Sequence, residues 1–304
     1  MASSTTDETS LVLGGGGFAG SHLVARLSVS EHVAAPSRSA LDVTDGESVR
    51  AAIGRLGPRT IFHLAAFSSA LRSWERPEEA VLSNLEMTLN ILESARSEAP
   101  GATVVLVGSG QVYGDSGSLP VTEDSPLEPA SPYAVSKAAC DMLGAQYAAA
   151  HGMRVLRMRP FNHAGPGQSD DYVLSTLARQ VAEAETSGAN EALLRTGDTA
   201  AGRDFTDVRD VVDAYVLAAG AEPAAYNVCS GHSSTVAELI DLLRECATVP
   251  IRHEVDPDRL REHDARVVRG SHDRLTSATG WQPRIPLQQT VRDTLDWWRG
   301  QPPR

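Results

Sequence analysis

At 304 residues and 41% apolar side chains the chain is long enough for a large core and for two lobes, and no apolar run approaches the ~18 residues needed to cross a membrane. A net charge of −12 disfavours nonspecific contact with nucleic acid, yet local arginines and helix N-termini can still receive an anionic small molecule. Three scattered cysteines, Cys140, Cys229 and Cys246, fit a reducing cytoplasm and argue against a disulfide framework or a zinc site, so no metal is expected. The opening MASSTTDETS has neither the basic nor the apolar region of a secretion signal and reads as a short disordered tail.

In chain order, Leu11 to Leu13 reads as a short buried strand, followed by GGGGFAG (14–20) and the helical SHLVARL (21–27). Gly14, Gly17 and Gly20 fall at the spacing that closes a tight turn and lets a pyrophosphate approach a helix N-terminus. His32 to Ala35 predicts a second strand ending in Pro36-Ser37-Arg38-Ser39. An NAD site places an acid near this point to hold the ribose 2′-hydroxyl, and none is present. Arg38 between two serines suits a 2′-phosphate, which favours NADP(H), with NAD(H) as the alternative; Asp42 is a candidate adenine contact. Thr60 to Ala66 predicts a third strand running out into small residues that leave room for a cofactor, followed by a helix over about 78–97. Asn84, on that helix, could tie backbone together or touch a ligand.

Thr103 to Val107 is an unbroken aliphatic run of the kind buried on both faces of a parallel sheet, and Ser109 lies just past its carboxyl end. SPYAVSKAAC (131–140) follows. Tyr133 and Lys137 are one helical turn apart, so both side chains leave the same face. A lysine beside a phenol stabilises the phenolate, and bringing a phenol from about 10 to near 7 takes roughly 4 kcal/mol. Such a tyrosine exchanges a proton with a sugar or alcohol oxygen near neutral pH. Arg154 to Arg159 predicts the fifth strand, closed by Pro160 and leading into FNHAGPGQ (161–168). Further helices are expected over about 171–186, up to Ala219, over Val236 to Cys246, and at the C-terminal end. Alternating strands and helices predict a Rossmann-type, doubly wound parallel α/β sheet with a smaller interleaved C-terminal substrate-binding lobe. The division expected is 1–163 with about 207–228 for the dinucleotide lobe, and about 164–206 with 229–304 for the second lobe.

GGGGFAG, HLAA (63–66), Ser109 with VYG (112–114), SPYxxxK, NHAGPG (162–167), RDFTDVRD (203–210), YNVCSG (226–231) and GWxP (280–283) resemble, in this order, the extended short-chain dehydrogenase/reductase family acting on nucleotide-linked sugars. Within it, FNHAGPGQ, RDFTDVRD and YNVCSG look most like the branch of GDP-mannose 4,6-dehydratases and GDP-4-keto-6-deoxymannose reductases. The resemblance implies Ser109, Tyr133 and Lys137 as the catalytic trio. It implies cofactor contacts from Gly14, Gly17, Phe18, Gly20, Arg38, Asp42, Val43, Leu64, Ala65, Ala66 and Pro160, as well as from Tyr133 and Lys137. Substrate contacts are implied at Gln111, Asn162, His163, Arg203 and Arg261; His163 could equally stabilise its loop, and most of the arginines around Arg261 read as solvated. The resemblance also implies a homodimer formed through the helices over about 77–97 and 132–150.

The dehydratases of this branch carry a glutamate at the position of Gln111, which moves protons at C5 and C6. An amide cannot do so. The residues therefore favour reduction of a 4-keto group on a nucleotide-diphosphate 6-deoxyhexose by NADPH, with 4-epimerase, 4,6-dehydratase and non-catalytic dinucleotide sensor as alternatives.

Overall fold

The computed structural model describes residues 9–115, 119–256 and 267–302, so the N-terminal tail and the position of Arg261 lie outside the described residues. The chain begins with β1 (Thr9–Leu13), α1 (Phe18–Leu27), β2 (His32–Ala34), α2 (Gly46–Leu56), β3 (Thr60–His63), α3 (Ala70–Glu75), α4 (Pro77–Glu98) and β4 (Thr103–Val107). A single 3-10 turn, Gly110–Tyr113, precedes α5 (Pro132–His151), β5 (Arg154–Pro160) and β6 (Asn162–Ala164). Then come α6 (Val173–Thr186), β7 (Ala192–Thr196), β8 (Gly202–Asp207), α7 (Val208–Ala218), β9 (Ala225–Val228), β10 (Ser233–Thr235), α8 (Val236–Cys246), β11 (Ile251–Val255), α9 (Asp273–Thr279) and α10 (Leu287–Arg299).

Six strands form one parallel sheet in the order β2-β1-β3-β4-β5-β9. The order reverses between β1 and β3, which opens a crevice at their carboxyl ends. The inner strands are aliphatic on both faces because helices cover both. On one face Leu11, Leu13, Ile61, Val104 and Val155 pack with Ile53 of α2, Ile91 of α4 and Tyr147 of α5. On the other, Val12, Phe62, Val105 and Leu156 meet Leu23 of α1 and Val211 and Tyr215 of α7.

The chain leaves this sheet at Pro160 and rejoins it at Ala225, where Arg157 to Pro160 pair with Ala225 to Val228. The intervening and following segments build two small sheets, β10-β8-β6 and β11-β7. They also build a separate core from Leu177 and Val181 of α6, Leu239 and Leu243 of α8, and Val291, Leu295 and Trp298 of α10.

Two local features differ from the sequence expectation. The third strand stops at His63 rather than Ala66, because the amides of Leu64 and Ala65 both turn onto the Leu13 carbonyl at 2.9 Å. Helix α2 was not expected, since Gly46 and Gly54 lower its intrinsic propensity. Asp45 rescues it by accepting from the Glu47 and Ser48 amides, and Gly57 ends it in a left-handed conformation at φ 53°.

Candidate active site

The glycine turn occupies the crevice between β1 and β3. Gly14 has φ 89°, and a Cβ there would lie 2.6 Å from the Ala65 amide nitrogen. A Cβ on Gly20 would fall 2.0 Å from the Gly14 carbonyl, which itself accepts from the Gly17 amide at 3.0 Å. Gly17 is the extended residue ahead of α1, and no side chain caps that helix. The first-turn amides of α1 are thus offered outward beside a surface without side chains, the arrangement that receives a diphosphate. Phe18 opens α1 and stacks on His163, with ring centres 5.9 Å apart and planes 2° from parallel.

At the end of β2, Arg38 is exposed between Ser37 and Ser39, whose hydroxyls are 3.0 Å apart. Its charge acts on Asp42, whose carboxyl is held below the usual range first by the Thr44 amide, then by the Thr44 hydroxyl and, more weakly, by Arg38. Val43 is buried against the β1–β3 side of the core, while Leu64, Ala65 and Ala66 line the start of the loop above β3 and remain partly accessible.

The Ser109, Tyr133 and Lys137 side chains come from different elements and meet at the carboxyl end of β4. Gly108 follows β4, and its amide donates to the Met158 carbonyl at 2.7 Å. Ser109 then starts the 3-10 turn, its Oγ accepting from the Gln111 amide at 3.2 Å. Helix α5 begins where the Ser131 hydroxyl accepts from the Ala134 amide and Pro132 occupies the first turn. Tyr133 therefore falls in the first turn, its amide donating to the Ser73 hydroxyl at 3.2 Å. Its phenol shares a hydrogen bond with the Ser109 hydroxyl. Lys137, one turn later, donates from Nζ to the Val107 carbonyl at 2.9 Å.

The electrostatics correct one expectation. Lys137 Nζ is 6.0 Å from the centre of the Tyr133 ring and spends a hydrogen bond on β4. Burial dominates the phenol and pushes its pKa upward, and the Ser109 hydrogen bond only partly opposes that. The chain's own groups thus hold Tyr133 protonated, not near a phenolate. Burial also lowers the Lys137 ammonium. His63, at the end of β3, is pushed down to about 3 by burial and by the Lys137 charge, so it is neutral. Its Nε2 lies 3.4 Å from the Thr88 hydroxyl.

Asn84 is structural. Its Oδ1 accepts from the Phe67 amide at 2.7 Å and its Nδ2 donates to the Phe67 carbonyl and to Ser136 Oγ at 3.2 and 2.8 Å. It ties the loop after β3 to α5. Cys140 is buried beside Thr88, as expected of a core residue. Gln111 projects exposed from the turn that carries Ser109. Asn162 is exposed at the start of β6, and Pro160 is buried at the end of β5. His163 sends Nδ1 to the Phe161 carbonyl at 3.1 Å, so its ring is fixed against both its own loop and the glycine turn.

Arg203 lies on β8, its Nη1 donating to the Gly202 carbonyl at 2.9 Å. The adjacent Asp204 is fully buried and collects the amides of Ser230, Gly231 and Gly270 and the Ser230 hydroxyl. One residue near Tyr133 was missed from sequence. Tyr172, ahead of α6, hydrogen-bonds Ser68 and lies near enough to Tyr133 for their phenolates to repel. A lone tyrosine before a helix carries no spacing signal that would have singled it out.

A parallel sheet with a glycine turn at its switch point, and a serine, tyrosine and lysine gathered one strand away, defines an extended short-chain dehydrogenase/reductase. The chain matches the GDP-mannose 4,6 dehydratase family model over residues 36–294, and it belongs to that family. It is 38% identical to a GDP-6-deoxy-D-mannose reductase of Pseudomonas aeruginosa over 94% of this chain and 96% of that protein. It is 31% identical to a UDP-glucose 4-epimerase of Mycolicibacterium smegmatis, over 95% and 98% of the two chains. The solved structure of RMD from Pseudomonas aeruginosa complexed with NADPH superposes with a TM-score of 0.87, at 37% identity, covering 96% of this chain and 99% of that one. Among the described residues no cluster of side chains could hold a metal, and no helix is long and apolar enough to cross a membrane.

Proposed function

We propose that the protein reduces the 4-keto group of a GDP-linked 4-keto-6-deoxyhexose with NADPH. The observation that carries this reading is the pairing of a protonated Tyr133 phenol, bonded to Ser109, with an amide at Gln111 on the same turn. Ketone reduction needs an acid at the oxygen and no base at carbon, and the site offers the one without the other. The reductase relative of Pseudomonas aeruginosa supports the same choice.

The residues present fit the cofactor: the Gly14–Gly20 cradle excludes side chains, the α1 amides face outward, and Arg38 with Ser37 and Ser39 offers a 2′-phosphate site. When bound, the cofactor supplies the hydride that adds to C4. Tyr133 Oη donates its proton to the oxygen as negative charge develops there, and Ser109 Oγ hydrogen-bonds the same oxygen. Lys137, anchored on β4, holds the cofactor ribose and stabilises the phenolate left behind, which solvent then reprotonates. Gln111, Asn162 and His163 contact the sugar. Arg203, with Arg261, clamps the diphosphate, since a guanidinium matches phosphate oxygens in pairs. Residues 1–163 and about 207–228 serve the dinucleotide, and about 164–206 and 229–304 the sugar nucleotide.

Two tests bear on this reading. Incubation with GDP-mannose and NADP⁺, or with UDP-glucose and NAD⁺, should leave both sugars unchanged; a 4-keto product or a C4 epimer would replace the reductase by a dehydratase or an epimerase. Arg38→Ala should raise KM for NADPH by about tenfold, one charge-assisted hydrogen bond, and leave KM for NADH in place. An unchanged preference would remove Arg38 from the cofactor site.

The protein works as a cytoplasmic homodimer. Leu82 and Leu89 on α4, and Val135 and Met142 on α5, are exposed, and within each pair the residues recur at two-turn spacing. The two helices pack side by side, so these residues form one apolar stripe that a second copy covers. Light scattering should give twice the chain mass, and Met142→Arg should shift the population to monomer; a monomeric parent protein would contradict the dimer.

A further inference from the structure

Behind Ser109 and Tyr133 lies a buried polar network that the mechanism above does not use. Its centre is Arg159 on β5, with a side chain only 5% exposed. Arg159 Nε and Nη2 donate to the Asp141 carboxylate at 2.8 and 2.9 Å. Nη1 donates to Tyr113 Oη at 2.7 Å and to the Glu123 carbonyl at 3.3 Å. Tyr113 in turn donates to Asn227 Oδ1 at 2.7 Å, and Asn227 pairs with Arg159 across β5 and β9. A guanidinium this deep persists only when its donors are matched, and here they are matched by α5, by the 3-10 turn and by the Glu123 carbonyl. Asp141 sits on α5 one turn beyond Lys137. Tyr113 closes the 3-10 turn that Ser109 opens.

We propose that Arg159 and Tyr113 are positioning residues for the reaction: together they hold the Ser109 turn against α5 and so set the contact between the Ser109 hydroxyl and the Tyr133 phenol. The turn has no slack to absorb a displacement of Tyr113. It is closed by the Val112 amide on the Ser109 carbonyl at 3.3 Å and the Gly114 amide on the Gln111 carbonyl at 3.2 Å. A Cβ on Gly110 would meet the Phe161 ring at 2.8 Å, and one on Gly114 would meet the Glu128 carbonyl at 2.0 Å. Arg157 binds the same Asp141 at 2.7 Å from the outer side, and it makes no bond to the turn. It supplies an internal control.

The activity readout rests on the reductase reading. With NADPH and GDP-4-keto-6-deoxymannose, Tyr113→Phe, which deletes one hydroxyl, should lower kcat by about tenfold with KM for NADPH unchanged. Arg157→Met should leave kcat unchanged. Ser109→Ala should also be slow, and adding Tyr113→Phe to it should cost nothing further, because the second change acts only through the first. If Tyr113→Phe turns over like the parent, or the two losses multiply, the positioning role is overturned. Should Tyr113→Phe lose its fold, Arg159→Lys keeps a cation on Asp141 without the branch to Tyr113, and the same cycle with Ser109→Ala decides. Absence of turnover in the parent protein refutes the reductase reading alone. Crystal structures of parent and Tyr113→Phe then decide the positioning role: Ser109 out of contact with Tyr133 in the variant supports it, and an unmoved Ser109 overturns it.

Discussion

Tyr133→Phe should lower the rate of keto-sugar reduction by about 10²–10⁴-fold while NADPH binds as before, the range that a positioned proton donor supplies. The expectation follows from geometry. The phenol is buried, bonded to Ser109, and held protonated because desolvation outweighs every favourable contact to its anion. Phenylalanine fills the same space and leaves the Tyr133 amide on Ser73, so the start of α5 is undisturbed. What disappears is the proton that is transferred to the substrate oxygen, while the Ser109 hydroxyl can still hydrogen-bond it. Steady-state kinetics together with NADPH fluorescence titration separates the two effects. Near-parental turnover would take Tyr133 out of the chemistry, and lost NADPH affinity would make it a binding residue instead.

Asp141→Ala should be the most destabilising single change near the site. The Asp141 side chain is 2% exposed and receives both Arg157 and Arg159. Removing one partner of a buried ion pair costs about 3–5 kcal/mol, because the charge left behind stays desolvated and unpaired. For a chain of this size that is a fall of roughly 5–8 °C in Tm. Arg157→Met should cost much less, since Arg157 is 21% exposed in its side chain and can be replaced by water on the carboxylate. Thermal denaturation of both variants compares them directly; equal and small losses would mean that the carboxylate is not the keystone of the network.

Much of the frame was legible because it rests on local rules. Thr103 to Val107 reads as a doubly buried strand from its aliphatic run, and it is one. The segment carrying Tyr133 and Lys137 reads as helical from their spacing, and Ser131 with Pro132 supplies the hydroxyl cap and first-turn proline that start it. The glycine spacing points to backbone contact, and the structure supplies the reason at Gly20, where a methyl group would collide with the Gly14 carbonyl. The illegible parts depend on tertiary contacts. Spacing puts Tyr133 and Lys137 on one face, yet it does not reveal that Lys137 would bond to the Val107 carbonyl, or that burial would outweigh its charge at the phenol. Arg159, Asp141 and Tyr113 lie far apart in the chain and read as an ordinary strand, helix and turn residue. Only the pairing of β5 with β9 and the packing of α5 bring them together. Helix α2 was missed because its cap, Asp45, outweighs two glycines.

The most direct test of the proposed chemistry is the stoichiometry of NADPH oxidation with GDP-4-keto-6-deoxymannose, followed at the reduced nicotinamide absorbance. One NADPH should be consumed for each keto sugar, and the product should be a GDP-6-deoxyhexose with a 4-hydroxyl. Unchanged absorbance, with or without conversion of the sugar, would contradict a reductase.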